Sequence, residues 1–185
     1  MSLENYLRQG AELLQNTASS HIPERIGNAI SVSIESLRNG HALLVCGNGG
    51  SASDSMHLVG ELVGRFQKER KAFRCICLSS NPTILTALGN DFGFDAIFSR
   101  QVEAYGEAGG VLIGLSTSGN SKNVILAFKK AKTLGMTTIG FTGKAGGTMA
   151  EYTDILIDVP STSTPAIQQI HSYLYHYFCA EVEKM

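Results

Sequence analysis

His57 and Glu61 stand four residues apart, so on a helix they project from one face, close enough to share a metal ion or a substrate proton. Just before them runs Gly47-Asn48-Gly49-Gly50-Ser51, and before that the apolar stretch Ala42-Leu43-Leu44-Val45-Cys46. The order reads strand, glycine-rich turn, helix. Glycines let a turn bring its backbone close to a ligand, and a helix start offers unpaired N–H groups and positive dipole charge to an oxyanion. Asn48, Gly49, Gly50 and Ser51 therefore form a candidate phosphate turn. A second one is Leu115-Ser116-Thr117-Ser118-Gly119-Asn120-Ser121, again ahead of helical spacing. A lone serine there would be an ordinary N-cap. Ser116, Thr117, Ser118 and Ser121 together, at the edge where parallel sheets bind ligands, favour a phosphate held without a lysine. Neither turn carries GxxxxGK[ST] or GxGxxG, which argues against ATP and NAD. Chemistry on a phosphorylated small molecule is the expectation.

To hold two such turns side by side the chain needs a parallel sheet, and its apolar pattern supplies one. Residues 42–46, 73–78, 111–115, 137–141 and 154–159 read as buried strands. Between them, 51–64, 94–106 and 121–134 carry helical spacing, the last closed by Leu134-Gly135. Pro82 and Gly89 confine any helix between them to a short one. Leu3, Tyr6, Leu7, Leu13 and Leu14, then Ile26, Ile30, Ile34 and Leu37, mark two amphipathic helices parted near Pro23. A long helix from about Pro165 to Lys184 closes the chain. The reading is one α/β domain over 1–185, with helices in 1–40, the sheet core in 41–160 and the last helix in 165–184.

At 185 residues the chain can bury a sizeable core, and 15 Lys+Arg against 16 Asp+Glu leave no electrostatic footprint for nucleic acid or an anionic membrane. Cys46, Cys75, Cys77 and Cys179 contain no CxxC pair, so free thiols in a reducing cytosol are expected rather than bridges or a cysteine-held zinc. No secretory leader is recognised and no apolar run approaches the roughly 20 residues that span a bilayer. A cytoplasmic protein is expected.

The segments CGNGGSASDSMHLVGELVGRF, GNDFGF, FSRQVEA, STSGNS and IQQIHSYLYH, in this order, resemble the bacterial phosphoheptose isomerases of the sugar-isomerase (SIS) domain superfamily. The resemblance covers nearly the whole chain. It implies a three-layer αβα sandwich around a five-stranded parallel sheet, flavodoxin-like, with helical additions at both ends. It also implies a homotetramer with active sites at subunit contacts, and a zinc held by His57, Glu61, Gln168 and His176. Spacing alone does not give that set, since Gln168 and His176 lie eight residues apart, about 12 Å along a helix. His21, His41 and His171 read as structural histidines.

Interconverting a 2-ketose phosphate and its aldose needs a base between C1 and C2, a proton carrier between the oxygens, and a stabiliser of the enediolate. By the resemblance, Glu61 is the base at carbon and His176 the acid/base at oxygen, with zinc polarising the oxygens. Ser51, Ser116, Thr117, Ser118 and Ser121 would grip the phosphate. Asn48, Arg65 and Asp91 would contact sugar hydroxyls or phosphate, and Gly49, Gly50, Asn90 and Gln168 complete the substrate set. The implied reaction is sedoheptulose 7-phosphate to D-glycero-D-manno-heptose 7-phosphate, the first step toward ADP- or GDP-heptose. The chain departs from the pattern at Pro165-Ala166, where relatives often carry arginine; Lys144 or Gln169 are the candidate replacements. Two non-catalytic alternatives share the domain: a phosphosugar-binding regulator, and a protein that associates with the replication initiator. Keeping Glu61, Gln168 and His176 together favours the enzyme.

Overall fold

The computed structural model describes all residues 1–185. Its elements run α1 (Leu3–Ala18), α2 (Ile22–Arg38), β1 (Leu43–Gly47), α3 (Gly50–Val63), β2 (Cys75–Cys77), α4 (Pro82–Phe92), α5 (Ser99–Tyr105), β3 (Val111–Ser116), α6 (Lys122–Thr133), β4 (Thr137–Thr142), β5 (Ile155–Asp158) and α7 (Thr164–Val182). Short 3-10 turns at Phe94–Ala96 and Gly147–Tyr152 fill two of the connections.

The five strands are all parallel and lie in the order β2-β1-β3-β4-β5. Chain order reverses between β1 and β3, the place where such sheets open a crevice beyond their carboxyl ends. Strand residues alternate between the two faces, as a sheet buried on both sides requires. Leu43, Val45, Ile113, Leu115 and Phe141 pack with α2, α3 and α7 on one face. Leu44, Cys46 and Leu112 pack with α5 and α6 on the other. Helix α1 lies outside the sandwich, where Leu13 and Leu14 meet Ile167 and Ile170 of α7. No helix is long and apolar enough to cross a membrane, and all four cysteines are free.

Two expectations fail. The helix read over 94–106 is broken: a 3-10 turn precedes α5, and Gly93 before it sits at φ 84°. Ile97 and Phe98 are buried in the core there, so packing rather than periodicity sets that segment. The helix at Pro82 runs through Gly89 to Phe92 and is not short. Proline at its first turn suits a helix start, Asn81 caps it by accepting the Ile84 N–H at 3.1 Å, and Gly89 interrupts nothing.

Helices α3 and α7 pack side by side and run the same way. The Gln168 amide lies against Gly50, Tyr175 reaches Asp54 and His57, and Cys179 Sγ points at the Leu58 carbonyl. At the far end, buried Glu183 accepts N–H groups of Phe66, Gln67 and Lys68 at 3.0, 2.8 and 3.0 Å. Burial opposes its ionisation, yet those three donors and Arg70 bring its carboxyl below the usual range. Arg70 in turn donates to the Glu61, Leu62 and Gly64 carbonyls, closing the C-terminus of α3 with a cation.

Candidate active site

The two polar turns meet at the strand-order reversal, with Gly47 in register opposite Leu115. Gly49 adopts φ 54°, a conformation that side chains disfavour, and opens α3 without a side-chain cap. Helices α6 and α7 also start without one, at Ser121 and Ser163. Ser121 occupies the N-cap position, but its hydroxyl turns instead to Ser116 Oγ at 2.9 Å. Thr117 Oγ1 and Thr164 Oγ1, 3.4 Å apart, bring the start of α7 to the second turn. Three helix starts with uncapped N–H groups and hydroxyls between them are features that can receive an oxyanion.

Side chains brace this edge. Asn48 and Asn123 pair reciprocally at 2.8 and 2.9 Å, joining the two turns. Asn48, read from sequence as a substrate contact, therefore keeps one N–H and one lone pair for a ligand. Asn120 Oδ1 accepts from the N–H and hydroxyl of Thr148, both at 3.0 Å, locking the second turn onto the 3-10 turn. Ser118 Oγ accepts the Asn120 N–H at 3.1 Å. Ser51 is buried under the first turn. A cavity of about 450 Å³ opens beside it, lined by Gly47, Asn48, Gly49, Ser79, Thr86 and Phe98 among others.

The second feature of the site is a cluster farther along α3. His57 Nε2 lies 2.9 Å from Glu61 Oε1 and 3.5 Å from His176 Nε2. One donor atom from each of the three residues falls within 4.8 Å of the others. Two imidazole nitrogens and a carboxylate are a donor set that suits zinc, and adjustments of about 1 Å would bring all three to the separations that ligands of one tetrahedral ion take. Phe66 stacks on His176 with ring centroids 5.7 Å apart. Asp54 lies behind His57; burial raises its carboxyl pKa, while the Tyr175 hydroxyl, His57 and His176 oppose that rise.

Not every expected residue converges here. Gln168 lies against Gly50 of the first phosphate turn, which is seven residues or about 10 Å along the helix axis from His57. Asn90 and Asp91 sit exposed on the last turn of α4; Asn90 Nδ2 donates to Asp91 Oδ1 at 2.8 Å, and neither bonds to the turns. Arg65 lies beyond the C-terminus of α3, exposed, 3.8 Å from Glu69. Gln169 donates to Tyr6 Oη at 2.9 Å and Ala166 faces α1, so Gln169 is engaged away from the turns. His171 is buried, with Nε2 on the Thr142 carbonyl at 3.1 Å, and burial lowers its pKa to about 4. His21 pairs with Asp158 and His41 with Glu107. Sequence reading missed Asn123, Asp54, Tyr175 and Ser172. Asp54 alone carried a local signal, standing one turn before His57 on the same helix.

These turns and this sheet order are those of an SIS domain, whose family profile matches residues 5–143. A phosphoheptose isomerase of Clostridium acetobutylicum is 50% identical over 161 residues, covering 87% of this chain and 82% of that protein. A solved phosphoheptose isomerase structure from Neisseria gonorrhoeae superposes with TM-score 0.93 at 36% identity, covering 99% of this chain and 97% of that one. Another, from Francisella tularensis, gives TM-score 0.95 at 32% identity with the same coverages. The chain belongs to the phosphoheptose isomerase family and is an enzyme, an aldose–ketose isomerase.

Proposed function

We propose that this enzyme converts D-sedoheptulose 7-phosphate to D-glycero-D-manno-heptose 7-phosphate in the cytoplasm, the entry to ADP- or GDP-heptose and to heptose-bearing glycans such as lipopolysaccharide. The observation that carries the reading is the meeting of Glu61 and His176, from different helices, at one point beyond a set of uncapped helix starts. About 10 Å of helix axis separates Gly50 from His57, which suits a long open-chain sugar phosphate better than a triose.

In this reading the phosphate takes the N–H groups of Gly49, Gly50 and Ser51 and the hydroxyls of Ser116, Thr117, Ser118 and Ser121. Asn48 and Gln168 hold the sugar hydroxyls between the turns and the cluster. Glu61 removes the proton from C1 and returns it at C2 through an enediol, and His176 moves a proton between O1 and O2. A zinc held by His57, Glu61 and His176 would supply charge stabilisation for the enediolate oxygens.

A homotetramer completes the reading. Leu3, Leu7, Tyr173 and Tyr177 are exposed. Mostly apolar cavities of about 340 and 290 Å³ lie between α7 and the two N-terminal helices, surfaces fit for subunit contacts. Arg65, Asn90 and Asp91 are exposed, paired only with neighbours on their own segments, and so placed to serve a neighbouring subunit's site.

The test is conversion of sedoheptulose 7-phosphate followed by NMR, with metal-quantified parent, Glu61→Gln and His176→Ala. Turnover by the parent that collapses in both variants is expected. A folded, zinc-loaded parent that binds the sugar phosphate without converting it would replace this reading with a regulatory sugar-phosphate sensor.

A further inference from the structure

His57 and His176 both turn Nε2 toward the centre of the cluster, and the other nitrogen of each ring faces a hydroxyl from α7. Tyr175 Oη lies 3.1 Å from His57 Nδ1, and Ser172 Oγ lies 3.5 Å from His176 Nδ1. The Tyr175 ring is 2% exposed and packed among core residues, so its hydroxyl has a fixed place. On the other side of that hydroxyl, Asp54 Oδ1 lies 3.5 Å away. Asp54 Oδ2 is buried without a hydrogen-bond partner, which leaves the phenol as this carboxyl's only side-chain partner.

The order of donors in this chain follows from what each group can do. A carboxylate only accepts, so the phenol O–H donates to Asp54. The phenol oxygen is then left to accept, and the groups it faces are His57 Nδ1 at 3.1 Å and the Ser172 hydroxyl. A neutral imidazole with its proton on Nδ1 has its lone pair on Nε2, where Glu61 and His176 converge. The opposite tautomer would turn Nε2–H toward Glu61 and let the phenol donate to Nδ1, but it would strip the half-buried Asp54 carboxylate of its only side-chain donor. None of Asp54, Tyr175 and Ser172 is needed for the phosphate turns.

We propose that Tyr175, backed by Asp54, is a positioning residue that holds His57 as its Nδ1–H tautomer and so keeps the Nε2 lone pair aimed into the cluster, with Ser172 a weaker counterpart for His176. The inference rests on the metal reading of the cluster for its consequence, but not for its geometry. Tyr175→Phe removes the hydroxyl and keeps the buried ring. Asp54→Asn is a second variant on a half-buried position, where an amide N–H can donate to the phenol and reverse the chain.

The experiment is ¹⁵N NMR of histidine-labelled, metal-free parent and variants, with His57 signals identified by their loss in His57→Gln, followed by zinc affinity from chelator competition. The parent should show His57 as the Nδ1–H form. Both variants should shift it toward the Nε2–H form and weaken zinc by about 10–100-fold. Unchanged tautomer and zinc affinity within about twofold in Tyr175→Phe would overturn the proposal. A parent that binds no zinc would defeat the metal reading, and the tautomer comparison would then decide the positioning role by itself.

Discussion

Taking the protein from about pH 7.5 to about pH 5.0 should cost the folded state about 2 kcal/mol through His171 alone. This imidazole is fully buried in α7 against Phe141, and burial lowers its pKa from the ordinary 6.5 to about 4. Because the folded value is the lower one, the unfolded chain binds the extra proton throughout the window between them, so stability falls as pH falls. At about 1.36 kcal/mol per pH unit the whole gap amounts to about 3.4 kcal/mol, complete below about pH 4. By about pH 5.0 roughly 2 kcal/mol of it has been lost. The assay is urea unfolding at one protein concentration, for the parent and for His171→Gln, whose amide can still donate to the Thr142 carbonyl. Carboxylates titrate in both proteins, so the difference between their losses isolates the histidine. Equal losses in parent and variant would refute the reasoning.

Gly119→Ala should cost about 2–4 kcal/mol, because φ is 64° and an added Cβ would meet the Gly146 carbonyl oxygen at 1.9 Å and its carbon at 2.4 Å, both backbone atoms; a loss under about 1 kcal/mol in urea unfolding would contradict this. Gly50→Ala places a Cβ 2.4 Å from Gln168 Nε2, the far end of a flexible side chain. Its unfolding free energy should change by less than about 1 kcal/mol while turnover falls on the order of 10²-fold, and a variant with parental turnover would show that Gln168 needs no fixed place. Glu183→Gln, leaving the part-buried Arg70 without its carboxylate, should destabilise by about 2–3 kcal/mol, with a cost near zero counting against the three-donor loop anchor.

The sheet was legible because its strands are short apolar runs buried on both faces; even β2 differs mainly in length. There, Leu43 N donates to the Arg74 carbonyl and Leu78 N to the Val45 carbonyl, so the ladder reaches past Cys75–Cys77 on both sides. The 94–106 segment was not legible, because its anchor is Phe98 packed across the chain rather than a repeat along it. His57 and Glu61 declared themselves through a four-residue spacing that any helix turns into proximity. His176 could not do so. Its meeting with His57 depends on α7 lying parallel to α3 in one register, a tertiary fact that only the family resemblance anticipated. Tyr175 is hidden for a further reason: its ring reads as core, and only its hydroxyl belongs to the site.

Deuterium incorporation during reversible turnover in D2O tests the central claim, that Glu61 carries a proton between adjacent carbons of a heptose phosphate. After many reversible cycles of sedoheptulose 7-phosphate, NMR should find deuterium at C2 of the aldose and at C1 of the ketose with the parent, and no wash-in with Glu61→Gln. Product formed with no deuterium at either carbon, or wash-in that survives in Glu61→Gln, would contradict it.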